Sequence, residues 1–253
     1  WGSHLNATED NSSGTITVAT SGVEDGQTLT ITLNGTNYTG SVSSNSVTIT
    51  ISATDLQALS EGTNTITANV SDAAGNAASQ SSSTFTYDKT SPSITSITPS
   101  WGSHLNATED NSSGTVTVAT SGIEDGQTVT VGLNGTNYTG SVSSNSVTIT
   151  ISATDLQALT EGTNTITADV SDDAGNAASQ SSTTFVYDKT SPSISSITLS
   201  WGTVLNATED NNNGTVTVTT SGIEDGQTVT LGLNGRTYTG SVSSLSLIHI
   251  SEP

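Results

Sequence analysis

The stretch TVTVGLNGTNYTGSVSSNSVTITI, residues 128–151, alternates apolar residues with threonine or serine in three short runs. The first two runs are joined by Asn134-Gly135, a dipeptide that is typical of tight β-hairpin turns. Alternation with a period of two is the pattern of strands that bury one face and expose the other. The stretch therefore predicts three consecutive half-buried strands.

The same alternation continues on both sides of this stretch and predicts seven strands in about 100 residues, the number typical of an immunoglobulin-like sandwich. The predicted strands are Thr115–Thr120, Thr128–Leu133, Asn137–Val142, Ser146–Ile151, Thr163–Val170, Ser182–Tyr187 and Ile194–Thr198. The segment SATDLQAL, Ser152–Leu159, breaks the alternation. The spacing of Leu156 and Leu159 predicts one helical turn, which Ser152 or Thr154 could cap.

The apolar member of each alternating pair is expected to face the core. The predicted inward-facing residues are Val116, Val118, Val129, Val131, Leu133, Tyr138, Val142, Val147, Ile149, Ile151, Ile166, Ala168, Val170 and Phe185.

The whole pattern returns every 100 residues, which indicates tandem domains. WGSHLNATED begins at Trp1 and again at Trp101, WGTVLNATED begins at Trp201, and the first two copies differ at 12 of 100 positions. The Ser-Pro pairs at 91–92 and 191–192 set the predicted boundaries. Residues 1–92 form a repeat without its first strand, 93–192 a complete repeat, 193–244 a truncated repeat, and 245–253 a tail interpreted as non-native because its sequence is unrelated to the repeats.

Composition excludes several classes of function. The 253 residues include 23 acidic and only 3 basic side chains, which gives a formal net charge of −20 and disfavours binding to nucleic acids or to anionic membranes. Cysteine is absent, so thiol chemistry is excluded. His4 and His104 are replaced by Val204 in the third copy, which argues against Ser-His-Asp catalysis. The chain is predicted not to be an enzyme and, without an apolar stretch of transmembrane length, not to insert into a membrane.

The acidic residues fall in loops, and immunoglobulin topology sorts those loops onto two ends of a domain. Residues such as Glu109, Asp110 and Asp188 are expected at the C-terminal end, and Glu124, Asp125, Asp172 and Asp173 at the N-terminal end. The first junction between repeats is therefore expected to gather Glu9, Asp10, Asp88, Glu124, Asp125, Asp172 and Asp173. Carboxylates held together repel one another unless a cation neutralises them, and an oxygen-only ligand set without His or Cys favours Ca²⁺. Solvated turn residues are the alternative interpretation.

The ordered segments LNATEDNSSGTVTV, GIEDGQTVTVGLNGTNYTGSV, SATDLQAL, EGTNTITADVSDDAGNAAS and TFVYDKTSP resemble bacterial Ig-like repeats of large, type I-secreted RTX adhesins. The resemblance implies extender domains on the bacterial cell surface, rigidified by Ca²⁺ between neighbouring repeats, that project a distal ligand-binding region for cell adhesion or biofilm formation. It implies metal ligands at Glu109, Asp110, Asp172 and Asp188, and also at Glu124 and Asp125. Asp72, Glu209 and Asp210 occupy the equivalent positions in other copies and complete the predicted set.

A second hypothesis is that the domains themselves bind a carbohydrate, a protein or a surface. Trp1, Trp101 and Trp201 are candidates for stacking on a sugar, and the Thr-x-Thr runs could form an ordered binding face. This hypothesis requires those side chains to be exposed on one contiguous face.

Overall fold

The structure, a computed structural model, describes residues 1–243. The chain forms two compact units, Trp1–Tyr187 and Asp188–Pro253. The first unit contains the first two repeats, and the second contains the start of the third. The predicted non-native tail, residues 245–253, lies outside the described residues.

Each repeat is built almost entirely from strands. In the first repeat they are β1 (His4–Leu5), β2 (Gly14–Ala19), β3 (Thr28–Leu33), β4 (Thr36–Ser41), β5 (Ser46–Ile51), β6 (Gly62–Asn69) and β7 (Ser81–Tyr87). The second repeat contains β8 (Ser93–Pro99), β9 (His104–Asn106), β10 (Gly114–Ser121), β11 (Thr128–Leu133), β12 (Thr136–Ser141), β13 (Ser146–Ile151), β14 (Gly162–Asp169) and β15 (Ser181–Asp188). The start of the third repeat contains β16 (Ser193–Leu199), β17 (Val216–Ser221), β18 (Thr228–Leu233) and β19 (Arg236–Ser241).

The strands of the second repeat form two sheets, ordered β13-β10-β8 and β12-β11-β14-β15-β9. The first repeat has sheets β2-β5 and β1-β7-β6-β3-β4. The β11–β12 hairpin pairs Leu133 with Thr136, and Asn134 and Gly135 at its tip have φ of 50° and 77°. Two consecutive positive φ angles are what a type I′ turn requires, which explains the Asn-Gly dipeptide.

The core of the second repeat lies between its two sheets. Of the inward-facing residues predicted from alternation, all are buried except Tyr138, which is half-buried. Trp101, Leu105, Leu156 and Leu159 add to this core from segments outside the alternating strands, and Tyr187 adds to it from the end of β15. The immunoglobulin-like, all-β fold predicted from the sequence is therefore confirmed.

The break in alternation at Ser152–Leu159 is a short helix, α2 (Ala153–Gln157), matched by α1 (Ala53–Gln57) in the first repeat. Ser152, rather than Thr154, caps α2, since its hydroxyl oxygen accepts a hydrogen bond from the Asp155 amide. The sequence did not predict the 3₁₀ turns at Glu9–Asn11 and Glu109–Asn111 or the short strands β1 and β9. These elements are too short for periodicity to identify.

Candidate functional site

The loop between β14 and β15, residues 171–178, contacts the end of the first repeat and is the candidate functional site. Asp172 and Asn176 hold this junction loop closed. One carboxylate oxygen of Asp172 accepts the Asn176 amide at 2.7 Å, and the other accepts the side-chain Nδ2 of Asn176 at 3.0 Å. Gly175 completes the turn with φ of 88°, a conformation that L side chains rarely adopt.

Three hydrogen bonds join the junction loop directly to the first repeat. Asn176 Nδ2 donates to the carbonyl of Asp88 at 2.9 Å, and Asn176 Oδ1 accepts from the amide of Ala7 at 3.1 Å. Asn6 Nδ2 donates to the carbonyl of Ala174 at 2.8 Å. Asp172 and Asn176 are 4% and 5% exposed, so the contact excludes most water from both side chains.

The first repeat presents Asn6 in a fixed orientation. Asn6 Oδ1 accepts from the amides of Thr8 and Glu9 at 2.9 and 3.0 Å, and the Asn6 amide donates to the carboxylate of Glu9 at 3.2 Å. This reciprocal arrangement satisfies donors at the start of the 3₁₀ turn. It also directs Asn6 Nδ2 away from its own turn and towards Ala174. Glu9, a predicted metal ligand, therefore caps its own turn.

His4 contributes a further side-chain contact to the same junction. Its Nε2 lies 3.4 Å from a carboxylate oxygen of Asp173, and its Nδ1 lies 3.1 Å from the Ser3 hydroxyl. The side chains of His4 and Asp173 are 33% and 56% exposed. A catalytic triad requires a buried carboxylate that orients the base, so this solvated pair does not support nucleophilic catalysis.

Asp10 and Asp110, two further predicted ligands, have partners inside their own repeats. The Tyr87 hydroxyl donates to Asp10 at 2.6 Å, and the Tyr187 hydroxyl donates to Asp110 at the same distance. Both aspartates are 5% exposed. Burial, followed by the adjacent carboxylate, raises the pKa of each tyrosine to about 12.

The remaining predicted ligands also make local contacts. Glu124 accepts from the Asp173 amide at 3.0 Å and thus supports the junction loop. Asp125 instead accepts from the Ser144 amide at 2.7 Å, in the loop between β12 and β13. Glu109 and Glu209 each accept from the asparagine amide three residues earlier.

Asp88 and Asp188 each accept from the threonine amide two residues later, and Asp210 is exposed. Asp72 accepts from the amide and the side chain of Asn76, which lowers the pKa of Asp72.

Within residues 1–243, no group of three or more His, Cys, Asp or Glu side chains is arranged to hold a metal ion. The structure brings Asp172, Asp173 and the main chain of Asp88 to one junction, and it keeps Asp10 and Asp125 in separate contacts. The donors at the junction are carboxylate, amide and carbonyl oxygens, which is the ligand chemistry that Ca²⁺ prefers.

Sequence reasoning missed three residues that organise the junction and its linker: Asn6, Glu61 and Asn176. Glu61 accepts from the Lys89 amide at 3.0 Å and from the Thr90 hydroxyl at 2.8 Å. The Thr90 bond, followed by the Lys89 amide, lowers the pKa of Glu61. Asparagine recurs at the positions equivalent to Asn6 and Asn176 in each available copy, and this recurrence could have identified them. A search for charged metal ligands does not consider neutral amide side chains.

The tryptophans pack within their domains. Trp101 is 8% exposed, and its ring centroid lies 5.2 Å from that of Phe185. A Cβ at Gly114 would lie 2.5 Å from the Trp101 ring, so the indole occupies the space above that glycine. Trp101 is therefore not available for stacking on a sugar.

No protein-family model and no curated protein matches the chain. Among solved structures, the chain is similar to a Ca²⁺-stabilized adhesin that helps an Antarctic bacterium to reach out and bind ice. The identity is 27% over 96% of this chain and 62% of that one, with a TM-score of 0.49, so the chain spans less than two thirds of that structure. A bacterial immunoglobulin-like domain from the M. primoryensis ice-binding adhesin is also 27% identical, over 37% of this chain and 96% of that one, with a TM-score of 0.30.

The similarity is to bacterial immunoglobulin-like domains of large adhesins, as the sequence resemblance predicted. Ice binding is described for both of those adhesins, and stabilisation by Ca²⁺ for the first. In the part of this chain that the structure describes, no helix has the length and apolar character needed to cross a membrane.

Proposed function

We propose that the chain belongs to the extender region of a bacterial adhesin that is secreted to the cell surface. Its repeats space a distal ligand-binding region, located elsewhere in the parent protein, from the cell, for adhesion or biofilm formation. The observation that carries this proposal is the direct hydrogen bonding between the junction loop and the preceding repeat. Because the first two repeats are nearly identical in sequence, further copies of this repeat in the parent protein can offer the same contact.

The proposal includes stiffening of each junction by Ca²⁺. Asp172 is 4% exposed, and the hydrogen bonds to its carboxylate come from Asn176, whose side chain is neutral. A buried carboxylate without a cationic partner is costly, so its charge favours a nearby cation. Asp173 adds a second carboxylate to the same loop, and Asp88 adds its main-chain carbonyl from the linker.

At the first junction, Asp88, Asp172 and Asp173 would hold the ion. Ca²⁺ would supply positive charge that offsets their repulsion and would bind oxygens from both repeats. Any agent that binds the folded junction better than the unfolded chain raises the stability of the folded state. The proposal assigns the chain no catalytic role, and its partners are neighbouring repeats and the surface that the distal region binds.

Thermal unfolding of the full chain in millimolar Ca²⁺, in millimolar Mg²⁺ and in excess EDTA tests this proposal. We expect Ca²⁺ alone to raise the melting temperature. Asp172→Asn should remove much of that rise, because the substitution deletes the buried charge at the junction.

Asp72→Asn is the matched control, since Asp72 makes the same bonds to Asn76 in a loop that is exposed in this chain. It should retain the Ca²⁺-dependent rise. Identical melting curves in Ca²⁺ and EDTA would contradict the proposed metal sites.

A further inference from the structure

We propose that β5 and β13 are sites at which two copies of the chain pair edge to edge. The pairing joins the same strand of two molecules in antiparallel orientation, through main-chain hydrogen bonds. It uses the sides of the repeats and leaves the Ca²⁺-stiffened junction proposed above intact.

Both strands lie at an edge of the smaller sheet of their repeat. Among the described residues, 1–243, β13 pairs only with β10, and β5 pairs only with β2. The two strands have the same sequence, SVTITI, at residues 46–51 and 146–151. The sheet of the second repeat contains a further strand, β8, on the opposite side of β10. The open edge at β5 and β13 is therefore a property of the repeat.

The hydrogen bonds of β10 alternate between its two neighbours. The Thr120 amide donates to the carbonyl of Asn145, directly before β13, at 2.9 Å. On the other side, the Thr115 amide donates to the hydroxyl of Ser100, directly after β8, and the Thr115 carbonyl accepts from the Ser100 amide. Even-numbered residues of β10 therefore bond to β13, and odd-numbered residues bond to β8.

This alternation determines which main-chain groups of β13 face the open edge. Thr148 and Thr150 lie opposite Thr117 and Thr115, so these pairs are not joined by main-chain hydrogen bonds. The hydroxyls of Thr117 and Thr148 lie 3.2 Å apart, in agreement with the close approach of side chains in such a pair. The N–H and C=O groups of Thr148 and Thr150 thus point away from β10, and both residues are exposed.

The edge lacks the features that usually protect an edge strand from another molecule. Proteins block such edges with charged side chains, proline or a bulge. The register of β13 with β10 is continuous, and residues 126–154 contain no charged side chain and no proline. The same is true of residues 26–54, around β5. Short uncharged segments of high β propensity, such as SVTITI, pair readily with other strands.

A second copy of the chain is the partner that this edge fits. The net charge of −20 makes two copies repel, and the uncharged stretches are where they can approach with the least repulsion. Thr148 of one copy can lie opposite Thr150 of the other, with Ile149 opposite itself on a two-fold axis. Each Thr148–Thr150 pair then exchanges N–H···O=C bonds in both directions.

Each contact is small, but the chain offers the same strand in consecutive repeats. Contacts between two arrays of repeats can therefore add through avidity. The paired strands run in opposite directions, which suits chains that project from two facing cells. That consequence rests on the proposed cell-surface function, whereas the pairing itself does not.

Sedimentation velocity of the full chain in millimolar Ca²⁺, at increasing protein concentration, tests the pairing. We expect the parent to shift from the mass of one chain to at least twice that mass, and to associate more readily in high salt, which screens the repulsion between acidic chains. Thr48→Pro with Thr148→Pro should remain monomeric, because proline removes amide hydrogens that face the open edge. The matched control, Thr39→Pro with Thr139→Pro, makes the same change in β4 and β12 at the edge of the larger sheet and should associate like the parent.

A pair of charge variants tests the contact in case proline disturbs folding. One variant carries Thr48→Asp, Thr50→Asp, Thr148→Asp and Thr150→Asp, and the other carries lysine at the same four positions. Each variant alone should remain monomeric, since like charges would lie opposite each other across the contact. An equimolar mixture should associate, because opposite charges then face each other. Circular dichroism of each variant verifies that the sheets remain intact.

A parent chain that stays monomeric at every protein and salt concentration would overturn the inference, and it would leave the melting curves that test the proposed function unaffected. Association that persists in Thr48→Pro with Thr148→Pro, or that is lost equally in the control, would show that β5 and β13 do not form the contact. A mixture of the charge variants that stays monomeric would also contradict direct pairing of these strands.

Discussion

The first two repeats place nearly the same sequence in two different surroundings, and their loops show the consequence most clearly. Residues 71–78 and 171–178 differ only at Ala73 and Asp173, and both loops close through the same Asp-Asn bonds. In the first repeat Asp72 is half-buried and Asn76 exposed, whereas Asp172 and Asn176 are buried. The residues of the loop therefore set its conformation, and packing against the neighbouring repeat buries it.

A second difference lies at the edge of the smaller sheet. In the second repeat, β8 pairs with β10, and Val116, Val118 and Thr120 are buried. In the first repeat, β2 pairs with β5, and the equivalent residues are half-buried. Trp1 is likewise half-buried, and Trp101 is buried. Substitutions at matched positions should therefore have different effects in the two repeats wherever the surroundings differ.

The largest difference is expected for tryptophan. Trp101→Ala should lower the free energy of unfolding by about 3 to 5 kcal/mol, because it removes a buried aromatic side chain and leaves a cavity. Trp1→Ala should cost less, since the Trp1 indole is partly in water and lies farther from its phenylalanine, at 5.7 Å against 5.2 Å between centroids. Urea unfolding followed by circular dichroism measures both. Equal losses would mean that the two cores have equivalent environments.

The tyrosines provide the opposite case, in which the surroundings match. Tyr87→Phe and Tyr187→Phe should each cost about 1.5 to 3 kcal/mol, because each removes a hydrogen bond to a buried carboxylate. Tyr87 and Tyr187 are 0% and 1% exposed, so the two losses should agree. Unequal losses in urea unfolding would show that the junction affects the interior of a repeat.

These tyrosines also predict a dependence on alkaline pH. Their pKa is about 12 in the folded chain, above the ordinary value of 10.0, so folding favours the protonated hydroxyl. This stabilisation is complete below pH 10 and is lost as the pH rises towards 12. When unfolding is measured between pH 10 and 12, the free energy of unfolding should decrease less for Tyr87→Phe and Tyr187→Phe than for the parent chain.

A small difference is expected at the glycines of the two matched loops. Gly75 and Gly175 have φ of 89° and 88°, so alanine at either position should cost about 1 to 2 kcal/mol of backbone strain. Only at Gly175 would the new Cβ also meet Asn6, 3.3 Å from its Nδ2. Gly175→Ala should therefore cost slightly more in urea unfolding. With spin labels attached through Ser41→Cys and Ser141→Cys, Gly175→Ala should also broaden the distribution of distances between the two labels. Gly75→Ala should leave that distribution unchanged.

Much of the fold could be predicted because its signals are local. Alternation identified the strands from Thr128 to Ile151, and the break at Ser152 identified the helical turn. The candidate site was predicted only in part. Topology correctly brought Asp172 and Asp173 to the first junction, whereas the partner of Asp10 could not be anticipated, because Tyr87 lies 77 positions away.

The sequence by itself determined the repeat, the strands, the tight turns and the Asp-Asn bonds that close each loop. Those features depend on residues within a few positions of one another, so they recur in every available copy. The tertiary structure alone decided that Asn176 contacts Ala7 and Asp88, 169 and 88 positions away, and that one of two nearly identical loops is buried. The burial of a loop depends on which surface packs against it, and the residues of the loop do not by themselves specify that surface.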